Sequence, residues 1–123
     1  MKMYILVNED IKISKGKVAG QVGHAVCTYL YRNFFRDRNN DLIELSHDDY
    51  CFLDKYMKEQ KKIILKCPQW KLEELERENK YVVIRDLGLT ELEPNTLTCI
   101  CLGIFDNDSS DIPEFVRQLK LYH

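Results

Sequence analysis

The sequence of 123 residues lacks the motifs of several common enzyme classes. It has no Gly-x-x-x-x-Gly-Lys-[Ser/Thr] phosphate-binding loop, no Gly-x-Ser-x-Gly nucleophile elbow and no His-Glu-x-x-His zinc motif. These absences weigh against nucleotide hydrolysis, serine-hydrolase chemistry and zinc proteolysis.

The chain also lacks long apolar runs and an excess of positive charge. No run approaches the roughly 20 apolar residues that a membrane-spanning helix needs, so we expect no membrane partner. The apolar stretch at the start of the sequence is too short for the hydrophobic region of a secretory signal, and we therefore expect a cytoplasmic protein. A net charge of −2 weighs against a protein that coats nucleic acid indiscriminately, but it allows a local basic patch.

The five cysteines form no Cys-x-x-Cys pair and no Cys/His metal spacing. Cys99 and Cys101 lie two positions apart in a strand-like run, so they share one face, which would also allow a metal pair. We expect reduced thiols that pack as small hydrophobic groups, with no disulfide, no metal and no cofactor.

Strand and helix patterns alternate along the chain. Residues 3–7, 62–67, 81–86 and 96–105 are rich in β-branched and aromatic residues and are predicted to be strands. Helical patterns cover residues 15–35, the region 41–61, and residues 71–79 and 113–121. This order predicts a single domain over residues 1–123 with an α/β fold, a three-layer α/β/α sandwich on a small mixed sheet.

The first predicted helix carries three stripes at about 100° per residue. The apolar stripe is assigned to the core and consists of Val18, Val22, Ala25 and Tyr29. The polar stripe consists of Lys17, Gln21, His24 and Thr28. The third stripe has almost no side chains and consists of Gly16, Gly20, Gly23 and Cys27. Because glycine destabilises a helix, the bare stripe indicates a close approach, either by a ligand or by another helix or subunit.

A cleft follows if the third strand runs parallel to the first. Asp86, at the end of the third strand, would then lie on the same sheet edge as Lys17. His24 and Thr90 would join them, giving a carboxylate, an ammonium, an imidazole and a hydroxyl in one place. The alternative is that Asp86 is a helix cap or half of an ion pair with Arg85 or Lys17.

Two segments resemble those of the archaeal/eukaryotic-type (type 2) peptidyl-tRNA hydrolases. They are KGKVAGQVGHA at residues 15–25 and IRDLGLTELEPNT at residues 84–96. The resemblance implies an α/β fold with a four-stranded mixed sheet, no metal, and a protein that is commonly a homodimer. It implies hydrolysis of the ester between a peptide and the terminal ribose of tRNA, which recycles tRNA from aborted translation.

The resemblance also assigns site residues. The family's functional positions correspond here to Lys17, His24, Asp86 and Thr90, which are predicted to be catalytic. The neighbouring Lys15, Gln21 and Arg85 are predicted to bind the substrate. We expect Asp86 to hold the attacking water, Lys17 to stabilise the oxyanion or a terminal phosphate, and His24 and Thr90 to position the substrate.

Two residues beside Asp86 depart from the family pattern. Leu87 stands where the family usually has Ala, and Leu89 where it usually has a basic residue. Together with the acidic net charge, they favour a second hypothesis, a non-catalytic protein- or RNA-binding module on the same fold. The intact polar stripe favours the enzyme.

Overall fold

A computed structural model describes residues 1–89 and 92–123. The strands are β1 (Lys2–Asn8), β2 (Lys62–Cys67), β3 (Val82–Arg85) and β4 (Leu97–Phe105). The α-helices are α1 (Lys15–Leu30), α2 (His47–Met57) and α3 (Gln69–Arg77). A π-helical turn over Tyr31–Phe35 continues α1, and a 3₁₀ turn covers Glu114–Gln118. Each predicted strand is therefore present, within one or two residues of its expected ends.

The last predicted helix is wrong. Residues 113–121 form only the short 3₁₀ turn, which buries Val116. The next residue, Leu119, already has extended backbone angles (φ −83°, ψ 147°). The chain leaves the helical region here because the residues that follow pair with a strand of the sheet.

The sheet has the order β2-β1-β4-β3 and mixed strand directions. β1 is parallel to β2 and antiparallel to β4, and β3 is antiparallel to β4. β3 therefore runs parallel to β1, so their carboxyl ends lie on the same side of the sheet. This is the condition on which the predicted cleft depended.

Helices cover both faces of the sheet and confirm the three-layer arrangement. On β1, Ile5 and Val7 pack into a cluster with the apolar stripe of α1, while Leu6 packs into a second cluster with α3. This alternation is the two-residue period of a strand that is buried on both faces.

The two edges of the sheet differ. At β2, the amide of Lys66 donates to the carbonyl of Lys120 (2.8 Å), and the amide of Tyr122 donates to the carbonyl of Ile64 (2.9 Å). The C-terminal segment thus covers the β2 edge as an antiparallel extension, with Leu65 opposite Leu121. At the other end of the sheet, β3 has β4 on one side only.

Between β3 and β4 the register contains a bulge. Ile84 is opposite Cys99, but Arg85 is opposite Leu97, which leaves Thr98 as the extra residue. A bulge redirects a side chain that regular alternation would place on the other face. Thr98 is fully buried and its hydroxyl faces α1.

Within the described ranges, no helix is long and apolar enough to cross a membrane.

Candidate active site

The site begins where α1 begins. Ser14 caps the helix: its hydroxyl accepts a hydrogen bond from the amide of Lys17 (3.2 Å), and its carbonyl accepts one from the amide of Val18 (2.9 Å). Such a cap satisfies donors that the first turn leaves unpaired. The start of α1 is therefore fixed, and Lys17 occupies its first turn.

Lys17 forms an ion pair with Asp86 across the sheet edge. The Nζ–Oδ1 distance is 2.6 Å, and the side chains are 16% and 4% exposed. The hydrogen bond from Lys17 lowers the pKa of the Asp86 carboxyl, against the opposing effect of desolvation. The backbone amide of Gly88 lowers this pKa further. Asp86 is therefore an ionised acceptor at neutral pH.

Gln21 anchors the same carboxylate from the next turn of α1. Its Nε2 lies 3.3 Å from Asp86 Oδ1, and its Oε1 lies 2.8 Å from the hydroxyl of Thr98. That hydroxyl is also 3.0 Å from the carbonyl of Ile84, and its single proton is donated to one of the two oxygens. The β4 bulge thus fixes Gln21, which in turn fixes Asp86.

The loop after β3 holds Asp86 from the other side. The amide of Gly88 donates to Asp86 Oδ2 (2.8 Å). Gly88 has a φ of +77°, and a Cβ there would lie 2.6 Å from the nitrogen of Pro94, so no other residue fits. Asn95, which has a φ of 65°, donates its amide to the carbonyl of Asp86 (2.7 Å).

Lys17, Gln21 and Asp86 line one pocket of about 460 Å³. One wall is the polar stripe of α1, and the other is formed by β3 and the residues that follow it. The α1 wall comprises Lys17, Gln21, His24, Thr28 and Arg32. The structure therefore brings together three of the four residues predicted to be catalytic. The fourth, Thr90, lies outside the described residues.

The residues predicted to bind substrate are divided. Gln21 and Arg85 line the pocket, whereas Lys15 lines a separate apolar groove that includes Tyr122. Arg85 is already engaged: its Nη2 and Nε lie 2.6 and 3.1 Å from the carboxylate of Glu76, and its Nη1 donates to the carbonyl of Asn95 (2.7 Å). Its guanidinium therefore ties α3 to the loop that holds Asp86.

Sequence reasoning missed two members of the site, Thr98 and Arg32. A signal for Thr98 was present, because it is the only hydroxyl side chain within the otherwise apolar run Leu97–Phe105. Arg32 lies four residues after Thr28, so the helical spacing of the polar stripe is a signal for it as well. It belongs to the π-helical turn that continues α1, which the sequence analysis does not predict.

The glycine stripe of α1 remains uncovered within the described chain. Apart from its chain neighbours and the adjacent backbone of α1 itself, a Cβ built on Gly16, Gly20 or Gly23 would meet no described atom within 4 Å. The close approach that the stripe indicated is therefore not made by another described element of the same chain.

The buried cysteines are not candidates for nucleophiles. Burial raises the pKa of the thiols of Cys67, Cys99 and Cys101 to about 12, which leaves almost no thiolate at neutral pH. Their packing agrees with the expectation of small hydrophobic groups, whereas Cys27 and Cys51 are exposed. Over residues 1–89 and 92–123, no cluster of three or more His, Cys, Asp and Glu could hold a metal ion.

Comparison with known proteins gives consistent matches. Residues 1–122 match the family model described as "Peptidyl-tRNA hydrolase PTH2". A protein of Staphylothermus marinus named "Peptidyl-tRNA hydrolase" is 36% identical over 98% of this chain and 93% of its own length. Proteins with the same name from Methanopyrus kandleri and Saccharolobus islandicus are each 34% identical, over 83% and 84% of this chain and 83% and 85% of their own lengths.

Proposed function

The chain belongs to the peptidyl-tRNA hydrolase PTH2 family, and we propose that it hydrolyses the ester between a peptide and the 3′-terminal ribose of tRNA. Water adds to the ester carbonyl carbon, and the bond from that carbon to the ribose oxygen breaks. One proton of the water goes to the ribose oxygen and the other is released to solvent, so the products are a peptide with a free carboxylate and a tRNA with a free terminal hydroxyl. The observation that carries this proposal is the Lys17–Asp86 pair on the wall of the pocket.

Asp86 is suited to hold the attacking water. An ionised carboxylate accepts about four hydrogen bonds, and the described residues donate three to Asp86: Lys17 and Gln21 to Oδ1, and Gly88 to Oδ2. Among these described contacts Oδ2 keeps one further acceptor position, which we assign to the water. The lowered pKa makes Asp86 a weak base, so its main contribution is to orient the water and to stabilise its developing positive charge.

Lys17 is suited to stabilise the oxyanion. Its ammonium has three donors, and among the described residues only Asp86 takes one, so we assign the other two to the substrate. A fixed positive charge beside the developing oxyanion lowers the barrier most when it is preorganised, and the ion pair holds Lys17 in place. We assign substrate positioning to His24 and Thr90.

Further parts of the proposal concern the tRNA and the assembly. Gln21 would contact the substrate while it holds Asp86, and Arg85 would do so only through a face that Glu76 leaves open. Lys15, outside the pocket, would contact phosphates further along the tRNA.

We also propose a homodimer in the cytoplasm, which sedimentation velocity and cell fractionation would test.

The test is cleavage of an N-acetyl-aminoacyl-tRNA by the purified protein and by Asp86→Ala and Lys17→Ala. We expect kcat to fall about 10²- to 10⁴-fold for Asp86→Ala and about 10²- to 10³-fold for Lys17→Ala. The double variant should lose little more than the worse single variant, because the two residues act as a unit. Lys12→Ala is the matched control, since it removes an exposed cation that does not line the pocket.

Each outcome separates the hypotheses. Cleavage that is lost in both variants and kept in Lys12→Ala supports the enzyme and its site. Cleavage unaffected by either change supports the enzyme but contradicts the site. A folded protein that binds tRNA and cleaves nothing, beside an active hydrolase as control, would support the non-catalytic binding module instead.

A further inference from the structure

The outer edge of β3 has backbone groups that no described residue pairs with. The amide of Asp86 donates to the carbonyl of Thr96, and the carbonyl of Ile84 lies 3.0 Å from the hydroxyl of Thr98 on β4. Backbone groups of alternate residues point to opposite sides of a strand, so those of Val83 and Arg85 point away from β4. No hydrogen bond from another described residue reaches them.

This edge opens into the proposed active site. The pocket is lined by the consecutive residues Val83, Ile84, Arg85, Asp86 and Leu87. Ile84 packs with the α1 cluster and Val83 with the α3 cluster, so residues whose side chains lie on opposite faces of the sheet both line the pocket. A groove that follows the strand edge, rather than one face, gives this combination.

The opposite wall, on α1, is longer than the β3 side of the groove. Lys17 and Thr28 are eleven residues apart on α1, a rise of about 16 Å along the helix axis. The stretch from Val83 to Asp86 spans about 10 Å. The groove therefore continues well past the proposed catalytic pair, with room for an extended segment of about three residues.

We propose that the peptidyl part of the substrate binds as an extended strand along the free edge of β3. This inference rests on the function and site proposed above. The ester carbonyl must lie at Asp86, which follows the carboxyl end of β3. A peptide that lies beside Val83–Arg85 with its carboxyl end at Asp86 runs in the same direction as β3, so the pairing is parallel.

Edge pairing would explain how one site accepts many peptides. Main-chain hydrogen bonds supply affinity that does not depend on the peptide sequence. Only every second residue of the peptide would hydrogen-bond to β3. In a parallel pair, the amide and carbonyl of alternate residues point toward the neighbouring strand, and those of the residues between them point away.

The decisive test varies the substrate and uses the unmodified protein. An N-acetyl-aminoacyl-tRNA is compared with a tetrapeptidyl-tRNA. Two further tetrapeptidyl-tRNAs carry N-methyl groups on alternate peptide amides: one on the first alternating set, the other on the second. We expect the tetrapeptide to have a lower KM than the single residue. The substrate whose methylated amides face β3 should have a KM raised roughly three- to tenfold for each lost hydrogen bond. The substrate whose methylated amides face away from β3 should have a nearly unchanged KM.

A variant tests the strand itself. Val83→Pro removes an outward-facing amide without removing a bond of the ladder, a position that an edge strand tolerates. We expect it to reduce the KM advantage of the tetrapeptide over the single residue, and Val83→Ala, which keeps the amide, to preserve that advantage. Circular dichroism checks that both variants fold.

The outcomes distinguish this inference from the function on which it rests. A protein that cleaves none of the substrates contradicts the proposed function. A protein that cleaves all of them, with the same KM for one residue and four and with no difference between the two N-methylated substrates, contradicts edge pairing alone. Equal losses with both N-methylated substrates also contradict it, because they would indicate a steric effect.

Discussion

The two edge strands of the sheet, β2 and β3, differ in whether the chain covers their outer backbone groups. Unpaired strand edges bind other strands, and proteins usually cover or shorten them. The β2 edge is covered by the chain's own residues 120–122, through two backbone hydrogen bonds. The β3 edge is only four residues long, is uncovered among the described residues, and faces the pocket that contains Lys17 and Asp86.

The difference indicates that the edges have different roles. The β2 edge lies far along the sheet from the ion pair, with β1 and β4 between it and β3. Covering it adds stability without blocking the pocket. Covering β3 in the same way would fill the groove that leads to Asp86.

Deletion of residues 120–123 should have the largest effect on stability. It exposes the β2 edge, removes two backbone hydrogen bonds and removes the partly buried Tyr122 from the α1 cluster. We expect the free energy of unfolding to fall by about 2–4 kcal/mol. Urea denaturation measures this loss, and sedimentation velocity measures the new self-association that an open edge would permit.

A second variant separates the backbone from the side chains in that effect. The double substitution Leu121→Ala and Tyr122→Ala keeps the two backbone hydrogen bonds but removes the apolar contacts. It should destabilise the protein without promoting self-association. If the deletion leaves both stability and self-association unchanged, the β2 edge does not need its cover.

Thr98→Val should have a smaller effect and should act on the β3 side. The change preserves shape but removes the hydroxyl that holds Gln21. We expect a stability loss of about 1–2 kcal/mol and a fall in kcat of about tenfold, because Asp86 loses a fixed neighbour. Thr98→Ser retains the hydroxyl and should keep kcat close to that of the unmodified protein. If Thr98→Val instead loses stability with an unchanged kcat, the role of Thr98 is purely structural.

The pH dependence of stability should show the smallest effect. The pKa of Asp86 is lowered in the folded protein, so its ion pair stabilises the protein above the unfolded pKa of about 3.9. That contribution is lost as the pH falls through the folded pKa. The difference in unfolding free energy between the unmodified protein and Asp86→Asn should therefore be constant from pH 7 to about 5 and shrink below about pH 4.

Urea titrations of both proteins at pH 7, 5, 4 and 3 measure this difference. The rate of ester cleavage should likewise show no loss from protonation of Asp86 above about pH 4. A difference that grows as the solution becomes more acidic would contradict the assigned direction of the pKa shift.

Local sequence patterns were enough to predict the strands and the first helix, and to group the polar side chains of α1 on one face. The period of the α1 stripes and the β-branched runs are local patterns, so they placed the helix, the four strands and the polar wall correctly. The sequence predicted that Lys17 and Asp86 share a sheet edge only on the condition that β3 runs parallel to β1, and the pairing of both strands with β4 meets that condition. Residues 113–121 were misjudged because their apolar spacing suits a helix, while pairing with β2 draws the segment that follows into an extended form.

The contacts that hold Asp86, and the difference between the two edges of the described sheet, depend on pairing between distant parts of the chain. Thr98 and Gln21 are 77 positions apart, and their contact depends on a single bulge in the register of β3 and β4. The covering of β2 and the opening of β3 likewise depend on pairing between distant segments. Such pairings reflect competition among many possible partners across the whole chain, and no local period in the sequence records which of them is most stable.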